Sequence, residues 1–134
     1  MTDTLTALAG FAAWYVVLTV VMGLYRVGFS LSSQKPVNSF AVNGSDLPGF
    51  GQRLTRARDN CYETLPIFGA IALVAFASSQ LAVTDPLAMW VLYARVGQSL
   101  THLLSISIPA VLLRANLFFF QALVYAYWSY RLLA

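Results

Sequence analysis

Arg56, Asn60 and Glu63 stand at i, i+4 and i+7 in the stretch RLTRARDNCYETLPIF, Arg53 to Phe68. On a helix that spacing puts a guanidinium, a carboxamide and a carboxylate on one face, with Arg53 one turn further out. Arg95, Gln98 and His102 repeat the arrangement at i, i+3 and i+7, and Arg114 follows with Gln121 two turns beyond it. Arginine offers a fixed fork of donors that matches carboxylates and phosphates. A glutamate accepts an ammonium group, and an asparagine brings both a donor and an acceptor for an amide. Together these groups suit a small zwitterion with more negative than positive charge better than a purely apolar lipid. No metal-ligand spacing, Gly-rich phosphate loop or serine-nucleophile motif competes with that chemistry.

The elements that must position these residues follow from composition. The chain has 134 residues, 59% of them hydrophobic and only 10% charged, with mean hydropathy +0.70. Soluble domains have about 45–50% apolar and about 25% charged residues, so this is a membrane protein. A net charge of +3, scattered along the chain, excludes nucleic acid as a partner. A bilayer core of about 30 Å needs roughly 20 apolar residues per helix. Four runs meet that need, and the spacing predicts one all-α domain with helices over about 5–28, 55–83, 86–108 and 111–131. The Gly/Pro/Ser/Asn-rich segment between the first two is a loop. The TDP triplet at Thr84–Pro86 stops the second run, and Pro109 breaks the third from the fourth. The first run lacks a basic leader and is read as a retained helix. Lys35, Arg53, Arg56 and Arg58 concentrate positive charge on the long loop. The positive-inside rule then makes that loop cytoplasmic and puts both termini outside the cytoplasm, in an inner (plasma) membrane. Helix two begins, helix three ends and helix four begins on the loop side, which gathers the polar stripes into one pocket.

Arg56-Ala57, Asn60, Glu63, Pro66 and Phe68 form a pattern that resembles the signature of the membrane-associated glutathione and eicosanoid proteins, MAPEG, in a bacterial-type member. Length, four spans and the Arg95-led stripe extend the resemblance to the whole chain. It implies a homotrimer, with glutathione as co-substrate between neighbouring subunits and membrane lipid around them. It also implies a glutathione transferase or peroxidase acting on hydrophobic electrophiles, small molecules or lipids. On that resemblance Arg53, Arg56, Asn60, Glu63, Arg95, Gln98 and His102 contact the tripeptide, and Arg114 is the catalytic cation that stabilises its thiolate, because a neighbouring positive charge lowers a thiol pKa. His102 stands where many family enzymes have a tyrosine, and Arg26 and Lys35 compete for a contribution from the neighbouring subunit.

Plainer readings compete with these roles. Glu63 and Arg95 can form an intramembrane ion pair that locks helix two to helix three. Arg58, off the stripe, is a flanking anchor, and His102 is a hydrogen-bonded packing residue before it is a base. Cys61 lies about 100° around the helix from Asn60 and reads as inert packing. Pro66 reads as a kink, while LFFFQ and YAYWSY read as lipid-facing packing and an interfacial belt. The functional alternative is a non-catalytic lipid-binding or scaffold protein of the same fold. A proton-coupled multidrug exporter is disfavoured, because Leu5–Tyr25 carries no carboxylate.

Overall fold

A computed structural model describes residues 1–134, which form four long helices and no strand. Helix α1 spans Asp3–Ser33, α2 Gly49–Ala77, α3 Leu81–Leu104 and α4 Ile108–Leu133. At 1.5 Å per residue the first two exceed roughly 40 Å, more than the roughly 30 Å hydrocarbon layer they cross. Helices α1, α2 and α4 are each long and apolar enough to span a membrane, so the protein is an integral membrane bundle. Helix α3 is the one of the four without a comparably apolar span-length stretch, and it is the most central: it packs on α1, α2 and α4, whereas α1 and α4 flank it without close backbone approach to each other. Its polar side chains Thr84, Arg95, Gln98, Ser99 and His102 are all buried against those neighbours.

Phe68 of α2 centres the core. Its ring lies 6.0 Å from Phe11, 5.8 Å from Trp128 and 6.1 Å from Tyr125, and so ties α1 and α4 to α2. The expected aromatic belt therefore splits by helical phase. Tyr125 and Trp128 are core, while Tyr127 and Tyr130 are exposed. Phe118, Phe119 and Phe120 face outward as a lipid-facing cluster should.

The helix ends correct two expectations. Helix α2 stops at Ala77 rather than near residue 83, and Ser78–Gln80 makes the turn. Ser79 adopts φ 59°, its N–H donates to the Phe76 carbonyl and the Gln80 N–H to the Ala75 carbonyl at 2.7 Å. These are the two bonds of a Schellman stop, which serine makes here in place of the usual glycine. The TDP triplet thus lies inside α3, with Pro86 in its second turn. Asp85 turns to α1 instead of to solvent. One carboxylate oxygen accepts from the Thr4 N–H at 2.9 Å and from the Thr4 hydroxyl at 2.5 Å, and Thr84 Oγ1 lies 2.7 Å from Thr4 Oγ1. An anion at unpaired N–H groups is favourable there both as a cap and against the helix dipole. At the other end Ser107 caps α4 by accepting from the Ala110 N–H, with Pro109 in the first turn, where its missing N–H costs nothing.

The α1–α2 loop folds back on the bundle. Arg26 and Lys35 close on the Phe40 ring at 5.8 and 5.5 Å, Arg26 donates to the Ala41 carbonyl, and Lys35 pairs with Asp46 at 3.1 Å. Gly44, at φ 70°, sits where a Cβ would meet Thr55 Oγ1 at 2.5 Å, so the turn and the close approach both require glycine. The Ala41 N–H donates to Asp46, and this bond, with Lys35 beside it, holds the Asp46 carboxyl below its usual value.

Two outcomes follow. Asp85→Ala should cost about 1–2 kcal/mol, the range for a lost charged cap, with Asp85→Asn losing less. Thermal unfolding in detergent reads this, with exposed Asp3→Ala as control, and equal midpoints would remove the cap from the account. Because its folded pKa is depressed, Asp46 adds stability that is complete above the ordinary aspartate pKa of about 3.9. That contribution is lost as pH falls through the lower folded value. Protection of the Ala41 amide, its exchange rate taken against that of a free peptide at the same pH, should therefore fall at the acid end, and not in Asp46→Asn.

Candidate functional site

The start of α2, the end of α3 and the start of α4 meet at the loop end of the bundle. Arg53 reaches across first: its Nε–H donates to the Leu103 carbonyl at 3.0 Å. That carbonyl belongs to the last turn of α3, where helical partners run out, so Arg53 closes a helix end rather than lining an open wall.

One turn deeper lies a chain through three helices. Arg114 Nη1 of α4 lies 3.0 Å from His102 Nδ1 of α3, and the Asn60 side-chain amide of α2 lies 2.9 Å from His102 Nε2. A guanidinium can only donate, so Nδ1 accepts and the neutral ring carries its proton on Nε2. Asn60 stands with its amide nitrogen against Nε2; because that ring nitrogen then carries the proton, the amide turned over to present its oxygen is the arrangement that satisfies both contacts and frees the NH2 group. His102 is buried and Arg114 half-buried, which gives the chain low-dielectric surroundings.

The remaining stripe residues divide into exposed and enclosed. Arg56 and Glu63 are exposed on the outer face of α2, with no hydrogen bond or ion pair inside the protomer. Arg58 pairs with its neighbour Asp59 at 3.0 Å. The Glu63–Arg95 ion pair does not form. Arg95 instead lays its guanidinium over the Phe11 ring at 5.4 Å and makes a long 3.5 Å contact from Nη1 to the Asn60 carbonyl. Gln98 accepts from Gln121 Nε2 at 3.1 Å, fixing α3 to α4 away from the loop-end chain. Cys61 is enclosed beside Ser99, its Sγ 3.5 Å from the serine oxygen.

The structure therefore brings Asn60, His102 and Arg114 together. It sets Arg56 and Glu63 beside them on the surface, and withdraws Arg53, Arg95 and Gln98 into helix-to-helix bonds. Tyr125 and Thr64, which line a cavity with Arg95, escaped the sequence reading. Their signal was present: Tyr125 follows Gln121 by four residues, and Thr64 follows Asn60 by four. Arg26 and Lys35 are both engaged around Phe40.

Chemically, the loop end offers unpaired guanidinium and carboxylate groups at the surface and an oriented guanidinium behind them. That set can hold a molecule bearing carboxylates and an ammonium, and stabilise a developing anion at Arg114. No curated protein and no solved structure matches the chain. A family comparison does: residues 4–134 match the MAPEG family. With all but the first three residues covered, the chain belongs to the MAPEG family.

Proposed function

We propose that the protein is a glutathione-dependent transferase or peroxidase acting on hydrophobic electrophiles that enter from the bilayer. The observation that carries this reading is the Asn60–His102–Arg114 chain, which holds a guanidinium on the loop side of the bundle, with Arg56 and Glu63 exposed on α2. The donor set fits the tripeptide. Arg56 meets a carboxylate, Glu63 accepts the ammonium, and the free NH2 of Asn60 donates to an amide carbonyl. Glutathione supplies a nucleophilic thiolate. Arg114 stabilises that negative charge in a site from which the bundle excludes water, and a guanidinium keeps its own charge there where a lysine would not. Arg53, Arg95, Gln98 and His102 complete the wall from behind by holding α2, α3 and α4 in register.

Self-association belongs to the same reading. Arg56 and Glu63 lie on a membrane-spanning helix with nothing in their own chain to pair them. A charge at membrane depth costs about 2.5–3.5 kcal/mol on a translocon scale, so a homotrimer whose neighbouring subunits cover this face fits the exposed charges. We place the basic loop on the cytoplasmic side and both termini outside, in the plasma membrane, on the Lys/Arg asymmetry. The non-catalytic lipid-binding reading takes support from one feature, the His102–Arg114 bond, which also serves as a plain interhelical clamp.

Calorimetric titration of glutathione and single-turnover kinetics with a hydrophobic electrophile separate the two. Arg56→Ala and Glu63→Ala should weaken binding by about 10–100-fold, the worth of a charged hydrogen bond. Arg114→Ala should lower turnover at least about 100-fold, as for loss of one anion-stabilising donor, while leaving affinity within a few fold. An unaltered rate in Arg114→Ala removes its catalytic role. No glutathione binding to the wild type leaves the clamp and the lipid-binding reading.

A further inference from the structure

Two cations converge on one ring in the loop between α1 and α2. The Arg26 guanidinium lies 5.8 Å and the Lys35 ammonium 5.5 Å from the Phe40 centroid. One carboxylate answers them, Asp46, at 3.1 Å from the Lys35 nitrogen. Arg26 takes part in neither ion pair of the protomer and reaches only the Ala41 carbonyl, at 3.4 Å. The cluster thus holds one positive charge more than it pairs, and Lys35 keeps 26 % of its side chain exposed.

Height and neighbours decide what that charge meets. Tyr25 lies 5.5 Å from Phe50 in the first turn of α2, so residues 26–33 of α1 rise past the start of α2. The loop then returns along the bundle, and Gly44 comes against Thr55 in the second turn of α2. Arg53, in that same turn, binds the last turn of α3. The loop therefore lies level with the end of a membrane-crossing helix. There Val37 and Val42 stand 67 % and 85 % exposed, two residues after Lys35 and one after Ala41. Leu31, also exposed, carries the apolar Leu24–Val27 face of α1 up to the same loop. Basic side chains beside apolar ones at a membrane border suit headgroups above and acyl chains below. A free phosphate would use the cations and leave the valines in water.

We propose that this loop is a docking surface for an anionic phospholipid. Lys35 and Arg26 take its phosphodiester, and Val37 and Val42 lie against the upper part of its acyl chains. The single net negative charge of the lipid matches the one charge left unpaired. An ammonium has three donors, so the phosphate shares Lys35 with Asp46 and competes with it. The surface uses none of Arg56, Glu63 and Arg114, and so goes beyond the glutathione reading.

The test takes the full chain, purified in a neutral detergent without glutathione, and reads lipid retention by native mass spectrometry. Phosphatidylglycerol and phosphatidylcholine with the same acyl chains are offered in equal amounts. Phosphatidylglycerol should be retained at least about tenfold better. Lys35→Gln and Arg26→Gln should each lower that preference about fivefold, the worth of one cation at an anionic surface. Asp46→Asn removes the competing carboxylate and should raise the preference, which mere damage to the loop would not do. If either cation variant fails to fold, Asp46→Asn still decides. Val42→Asn should weaken retention of both lipids. Equal retention of the two lipids by the wild type would overturn the surface. An unchanged or lower preference in Asp46→Asn would overturn the seat of the phosphate beside Lys35, and unchanged retention in Val42→Asn the apolar contact. Displacement of the lipid by glycerol 1-phosphate would overturn the lipid source in favour of free phosphate. Displacement by glutathione would overturn the surface and give Arg26 and Lys35 to the tripeptide. A preference seen in the monomer but lost in the oligomer would overturn it in favour of a contact between copies. Failure of any other arm leaves the glutathione titration as it stands, because that titration reads Arg56 and Glu63.

Discussion

Arg95 is the place where all four helices meet, and the interior is arranged around the need to solvate its charge without bulk water. The side chain springs from α3, rests on the Phe11 ring of α1, touches the Asn60 carbonyl of α2 and faces Gln121 and Tyr125 of α4. Each contact is weak by itself: a ring face, a long hydrogen bond, a cavity wall. Because the hydrocarbon around the bundle offers nothing better, they act together in fixing how far apart the helices stand. The same demand explains why the helix without a span-length apolar stretch is the central one. A helix bearing Thr84, Arg95, Gln98, Ser99 and His102 on its buried faces can cross a membrane only if three neighbours cover it.

From that centre the polar groups sort by depth. Gln121 donates to Gln98 in the bundle, and Asn60, His102 and Arg114 join one another nearer the loop. Arg56 and Glu63 satisfy nothing in the protomer. Charged groups left unpaired on the α2 surface differ from a purely structural lock, which would pair its charges inside. The unpaired end is where a ligand or a neighbouring subunit contributes most.

How much of this was legible in the sequence depends on the kind of interaction. Four helices, the loop and the two stripes could be read because apolar period and run length are local properties. The α3–α4 break could be read because a proline is poor in a helix interior but sits readily in a first turn, where Pro109 stands. The α2 end could not: Ser79 in a left-handed conformation looks like any serine, whereas TDP looks like a stop. Asp85 passed for a loop charge because its partner, Thr4, lies 81 residues away. The Glu63–Arg95 pair was plausible from charge alone, but geometry gives Arg95 a ring and a carbonyl and turns Glu63 outward. YAYWSY mixed core and surface, since an i, i+3 phase separates Tyr125 and Trp128 from Tyr127 and Tyr130.

The two ends of the bundle solve the same problem with different consequences. At the end holding the termini, Thr4, Thr84 and Asp85 bind one another and the Ser79 turn closes α2, so the polar groups are consumed by the fold. At the loop end the groups that join the helices are those that would meet a ligand, which raises the question of whether binding must break packing. For Arg114 it need not. A guanidinium carries five N–H donors in a plane, and His102 takes one at Nδ1. The imidazole fixes the orientation of the plane while the other donors remain available. A lysine in that position would lose this division as well as its hold on the charge, because an ammonium has no rigid plane for a neighbour to hold. Orientation by His102 and stabilisation of an anion are therefore compatible uses of one side chain, and the family departure at residue 102 is consistent with catalysis.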